Sequence, residues 1–184
     1  MKEILNPQDA ELEEAVIGAC LIESTAITLV ADMLRPEMFY DARHEEIFSA
    51  LQSMYREGKE IDIITVKNEL KARGKLDFAG GPYELTRISS KIMSSSHLEY
   101  HAALLKEKYV RRQLICGSHK QLVSASDESI DLADTLAEMH NLMDGLEGEF
   151  CTGGHHRNME QLMADTLAQM EARVATSNNG ITGI

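Results

Sequence analysis

Few residues of this chain have the types and spacing that chemistry needs, and each group lacks something its chemistry requires. His44-Glu45-Glu46-Ile47-Phe48 opens like a zinc-protease helix, in which two histidines one turn apart grip the ion. Phe48 stands where the second histidine must be, so His44 is expected to pack or cap inside a helical domain. Cys151, His155 and His156 are the remaining cluster with metal-ligand residue types. They offer at most three ligands where structural zinc takes four, and the segment reads as a linker. Gly80-Gly81 could begin a phosphate cradle, but the chain continues Pro82-Tyr83-Glu84, with no lysine to reach a phosphate. A turn followed by a helix start is expected there. Paired carboxylates such as Glu13-Glu14 act as acid and base only in a shaped, partly desolvated pocket. They are expected on the wet face of a helix. No serine or cysteine stands in a nucleophile setting, so no catalytic, cofactor-binding or metal-binding residue is assigned.

The composition points to helices that assemble. Of 184 residues, 43% are hydrophobic, which is ample for a buried core, yet only 5% are aromatic and there is no tryptophan. Leucine, methionine, alanine and glutamate dominate, a mixture that favours helix over sheet. Prolines fall only at 7, 36 and 82, leaving long uninterrupted windows. The formal net charge is −12, an unfavourable balance for binding phosphates. Residues 121–184 carry eleven acids against Arg157 and Arg173 alone, so a groove for single-stranded DNA is not expected in that half. The one basic concentration, Lys106, Lys108, Arg111 and Arg112, surrounds a predicted helix and reads as a solvated face. Three widely spaced cysteines (Cys20, Cys116, Cys151) argue against a disulfide framework and for a reducing compartment. No signal-type or membrane-spanning apolar run is seen, so a soluble, cytoplasmic protein is expected.

Hydrophobic periodicity places the elements. Leu12, Ala15, Val16, Ala19 and Cys20 make one helical face between residues 9 and 22. A short helix fits 26–34, before Pro36. A third starts near Arg43, carries His44, Ile47, Phe48, Leu51 and Tyr55 on one side, and ends at Gly58. Asp62 is placed to cap a fourth, with Ile63, Val66 and Leu70 inward and Gly74 at its end. Pro82 suits the first turn of a fifth, which runs to about Ser89.

After residue 95 the pattern changes. Ser96-His97-Leu98-Glu99 matches a capping box, and no breaker follows until 124–127. A helix over 97–124 would be roughly 40 Å long at 1.5 Å per residue, too long for a small globule to cover. The next helix, about 130–147, carries Leu132, Leu136, Met139, Met143 and Leu146 in coiled-coil-like spacing. Leu98, Ala102, Leu105, Tyr109, Cys116 and Val123 offer a similar register on the helix before. A protruding antiparallel hairpin is expected. Its Leu105, Tyr109, Leu132, Leu136, Met139, Met143 and Leu146 are candidate subunit-interface residues. Beyond it, Met159, Leu162, Met163, Leu167, Met170 and Val174 form one face of a last helix with no predicted neighbour, a docking stripe for another chain or domain. The expected organisation is all-α: a helical globule over 1–95, a hairpin over 96–147, a flexible linker over 148–157, a linker helix over 158–176, and over 177–184 the start of a connection onward.

In this order, Glu14-Ala15-Val16-Ile17-Gly18-Ala19, Phe39-Tyr40, and His44 with Ile47-Phe48-x-Ala50-Leu51 resemble the N-terminal domain of DnaB-type replicative helicases. So do Gly58-x-x-Ile61-Asp62-x-x-Thr65-Val66, Leu70, Gly74-Lys75-Leu76, Gly80-Gly81-x-Tyr83, Tyr100-His101, Leu105, Lys108 and Arg111-Arg112. The resemblance implies a globule and hairpin that pair subunits into dimers, a trimer of dimers or a hexameric collar. It also implies a linker helix docking on a neighbouring subunit's motor, and primase bound to the collar. ATP, magnesium and single-stranded DNA would be handled by a motor beginning near Thr182-Gly183-Ile184, so catalysis is expected of the parent protein and not of this chain. The alternative reading is a stand-alone helical adaptor for a partner protein.

Overall fold

The computed structural model describes residues 6–91, 95–127 and 129–151. Among these the chain is entirely helical, with no strand. The apolar face expected for α1 (Ala10–Ile22) is present, begun by Asp9, whose carboxylate accepts the Leu12 N–H at 3.1 Å. The helix is nevertheless buried well beyond that face. It contacts α2, α3, α5 and α6, so Ile17, Gly18 and Leu21 are covered together with Val16 and Cys20. Burial pushes the Cys20 thiol up to about 12, which keeps it unreactive.

Helix α2 (Ala26–Val30) is shorter than expected. The chain turns before Leu34 and resumes as a 3₁₀ turn at Pro36–Met38. Arg35, ahead of the proline, is extended at φ −122°, ψ 152°, the region that a following proline imposes. Helix α3 (Ala42–Arg56) buries Ile47, Phe48 and Leu51, with the Phe39 ring 4.8 Å from that of Phe48. Tyr55, expected inward, is exposed, and Met54 takes the buried place in the last turn. Helix α4 (Ile63–Ala72) begins with the expected Asp62 cap, closed into a box by Thr65. Helix α5 (Gly81–Lys91) buries Leu85 and Ile88. Gly80, at φ +90°, could not carry a side chain, since a Cβ there would lie 2.8 Å from Glu84 Cβ.

Helix α6 (Leu98–Ser126) does two jobs. Leu98, Ala102 and Leu105 belong to the same core as α1 and α3, so the globule closes at Leu105 and not at residue 95. Leu105 is therefore unavailable to another subunit, and Tyr109 packs partly against the same core. The helix starts one residue later than a capping box at Ser96 would place it. His97 takes the N-cap position without a side-chain bond, and the Leu98 N–H goes to the Ser95 carbonyl at 2.9 Å. Past Lys106 no residue of α6 is fully buried.

After the turn at Asp127, α7 (Leu132–Cys151) runs back antiparallel along α6. Lys120 pairs with Glu138 at 3.1 Å, and Leu142 lies over Gly117. The seam thus uses Gly117 against Leu142. Cys116 and Val123, offered by the sequence pattern, face outward. Gly145 and Gly148 each cost a helix about 1 kcal/mol relative to alanine, yet α7 continues through them to Cys151. Residues 148–150 are therefore helix and not linker. Glu149 meets Arg35 of the globule. A Cβ on Gly117 would sit 2.3 Å from Leu142 Cδ2. Gly117→Val is therefore expected to loosen the hairpin and leave the globule intact. Hydrogen exchange should quicken across 113–146 and stay unchanged in α1 and α3, and Leu142→Ala should relieve part of the effect. Unchanged exchange in α7 would contradict this packing.

Candidate functional site

Beneath the surface lies a charged knot. Glu13 and Glu14, expected on a wet face, are both buried. They are tolerated because every charge finds a partner. Glu13 accepts the Tyr40 N–H at 2.6 Å and the Asp41 N–H at 3.3 Å, and its Oε2 lies 2.8 Å from His44 Nδ1. His44 therefore packs inside the domain, pinning α3 to α1. On the other side, Arg87 reaches Glu14 at 2.7 Å and Glu84 at 2.5 Å, and Lys91 reaches Glu14 at 2.5 Å. Burial pushes the Glu14 carboxyl up, but Arg87 and Lys91 outweigh it and hold the group below its ordinary range. The Arg87 hydrogen bond does the same for Glu84, and the two carboxylates raise Arg87. Nearby, the Arg43 guanidinium holds Asp41 down at about 2.

Glu14, His44 and Glu84 place ligand atoms within 4.8 Å of one another, as a divalent metal would need. Both carboxylates are already engaged by Arg87, so an ion there would sit beside a fixed guanidinium. The knot joins α1, α3 and α5 and is built for structure. Sequence reasoning missed it because its members lie up to 77 positions apart (Glu14 to Lys91).

The basic concentration on α6 is likewise engaged internally. Lys108 lies 3.7 Å from Asp9, and Arg111 pairs with Glu107 at 2.6 Å. Arg112 donates to the Pro7 carbonyl at 2.9 Å and to the Met38 carbonyl at 2.5 Å. Its guanidinium also lies 5.7 Å from the Tyr40 and Tyr109 rings. Burial lowers its pKa. Lys106 is buried. A continuous phosphate track is not what these side chains make.

What stands open is apolar surface on the hairpin. Leu132, Leu136, Met139 and Met143 are 68%, 57%, 45% and 40% exposed along one side of α7, with Leu146 half-buried. Phe150 extends the row. The sequence pattern had this signal, seven positions after Met143, but assigned the residue to a linker. On α6, Leu114, Leu122 and Val123 are exposed as well. The remaining candidates, Met159, Leu162, Met163, Leu167, Met170 and Val174, lie outside the described residues, as do His155 and His156. No described helix is long and apolar enough to cross a membrane.

A helical globule continued by an exposed antiparallel hairpin defines a class of all-α domain, and comparison with known proteins identifies which. Residues 5–107 match the family described as DnaB-like helicase N terminal domain. The chain belongs to that family. It is 35% identical over 184 residues to the replicative DNA helicase DnaB of Rhodothermus marinus, covering 97% of this chain and 19% of that protein. It is also 35% identical to the DnaB of Geobacillus stearothermophilus, covering 99% of this chain and 40% of that protein. The crystal structure of the N-terminal domain of DnaB helicase from Mycobacterium tuberculosis superposes with a TM-score of 0.69 at 28% identity, over 74% of this chain and 99% of that one. A DnaB-like replicative helicase, solved in a study that includes its interactions with primase, shares the fold with a TM-score of 0.64 at 19% identity. That match covers 89% of this chain and 36% of the other. The chain spans from about a fifth to two fifths of the length of these curated relatives.

Proposed function

We propose that this chain is the N-terminal assembly and primase-docking scaffold of a hexameric replicative DNA helicase, acting through association and not through catalysis of its own. The observation that carries this is the row Leu132, Leu136, Met139 and Met143, left free on a helix that projects from a finished core. Apolar surface of that kind gains about 25 cal/mol for each Å² removed from water, so it favours a partner. In this reading the hairpin supplies one subunit contact in a dimer, a trimer of dimers or a hexamer. The stripe Met159, Leu162, Met163, Leu167, Met170 and Val174 supplies another, against a neighbouring motor. Primase binds the collar so formed. ATP with magnesium and single-stranded DNA are handled by the parent protein's motor, in the cytoplasm. Sedimentation of the chain, alone and with the C-terminal domain of purified primase, tests the proposal. Concentration-dependent self-association and co-sedimentation with primase are expected. A chain that stays monomeric at millimolar concentration and ignores primase overturns it.

A further inference from the structure

Arg112 lies about two turns past Leu105, on the same side of α6, at the point where the helix leaves the core. Its guanidinium donates to two main-chain carbonyls from separate segments, Pro7 ahead of α1 and Met38 in the 3₁₀ turn, at 2.9 and 2.5 Å. The Tyr40 and Tyr109 rings each lie 5.7 Å from it. A planar fork that reaches two acceptors at once is a task for arginine, since the single ammonium of lysine cannot span both. Among the described residues, no later side chain of α6 bonds to the globule, and Lys120 turns instead to Glu138 of α7. Arg112 is therefore the outermost hold of the globule on that helix.

The segment that receives Arg112 is itself gripped from inside. Met38 and Phe39 are buried, and the Phe39 ring lies 4.8 Å from that of Phe48. The Tyr40 and Asp41 N–H groups donate to Glu13 at 2.6 and 3.3 Å. Residues 38–41 thus turn two N–H groups toward the buried carboxylate, and one carbonyl and one ring toward Arg112. We infer that this segment is a socket, set by Glu13, that fixes the direction in which the hairpin leaves the globule. The buried charge then does more than join α1 to α3, because the hairpin's direction depends on it. A tilt of about 10° at Arg112 moves residue 126, roughly 21 Å farther on at 1.5 Å per residue, by about 4 Å. The socket works within one chain, so it holds whether or not the hairpin meets a partner.

Single-molecule energy transfer reads that direction in isolated chains. Dyes are attached at Ala72→Cys on α4 and Ala125→Cys near the hairpin tip, both exposed positions. The background is Cys116→Ser/Cys151→Ser, in which Cys20 is buried. Arg112→Gln and Arg112→Lys are expected to shift or broaden the dye-to-dye distance by about 4 Å or more. Arg111→Gln, which breaks only a bond to Glu107 on its own helix, should leave the distance unchanged. Glu13→Gln should reproduce the Arg112 effect although Arg112 is intact. Urea unfolding of each variant verifies that it is folded under the measuring conditions. Should Glu13→Gln not fold, Glu13→Asp, which keeps the charge and draws it back by one methylene, is read in its place. An unchanged distance in Arg112→Gln, or an equal shift in Arg111→Gln, overturns the socket. An effect confined to the Arg112 variants overturns its dependence on Glu13.

Discussion

Glu13→Gln should lower the stability of the globule by about 3 kcal/mol at neutral pH, because it breaks a fully buried charged contact. The carboxylate serves three neighbours, the Tyr40 and Asp41 N–H groups and His44. A glutamine keeps one oxygen for the Tyr40 N–H and turns an amide donor toward the Asp41 N–H, which also donates. The unmet bonds lie at the join of α1 and α3, where water cannot replace them. In a domain of this size that loss lowers the melting temperature by about 15 °C. Urea unfolding at pH 7 measures it as a lower midpoint with unchanged slope. The double variant Glu13→Leu/His44→Leu is expected to cost at least about 1 kcal/mol less than the sum of its single changes, since it removes both partners. Additive single effects would contradict the pairing.

Arg87→Met is the second large effect, and its size depends on pH. In the native domain Glu14 and Glu84 share this guanidinium, and both carboxyls are held below the ordinary value of 4.5. A depressed folded pKa gives stability that is present above the unfolded value and is lost as pH falls through the folded one. The wild-type domain should therefore weaken on acidification below about 4.5. In Arg87→Met two buried carboxylates lie close together and lose their shared guanidinium, with Lys91 bonded only to Glu14, so the charged forms are disfavoured. We expect a loss of about 3 kcal/mol at pH 7. The deficit relative to wild type should narrow between about pH 6 and pH 4, as the variant takes up protons that wild type does not. Denaturant melts at several pH values, with and without Glu84→Gln, check both statements. A deficit that is flat with pH would show that Arg87 acts through packing alone.

The apolar row on α7 and the knot differ in how they can be found. Leu132, Leu136, Met139 and Met143 recur at spacings of 4, 3 and 4, so one helix is enough to reveal them. Whether such a row is covered is a question about neighbours. Leu105 had the same signal and is wholly enclosed, because the first two turns of α6 complete the globule. Glu13 and Glu14 looked solvated because their partners, His44, Arg87 and Lys91, arrive from other helices.

By itself the sequence determined the helical class, the cap at Asp62, the break at Pro36, the hairpin and the apolar row on α7. These depend on dihedral preference and on side-chain period, which act within one segment. Only the tertiary structure decided that α1 is buried far beyond its apolar face, that the core ends at Leu105, that α7 runs through two glycines to Cys151, and that Gly117 receives Leu142. Those outcomes depend on which surfaces meet and on the low dielectric they create, and no single segment holds that information.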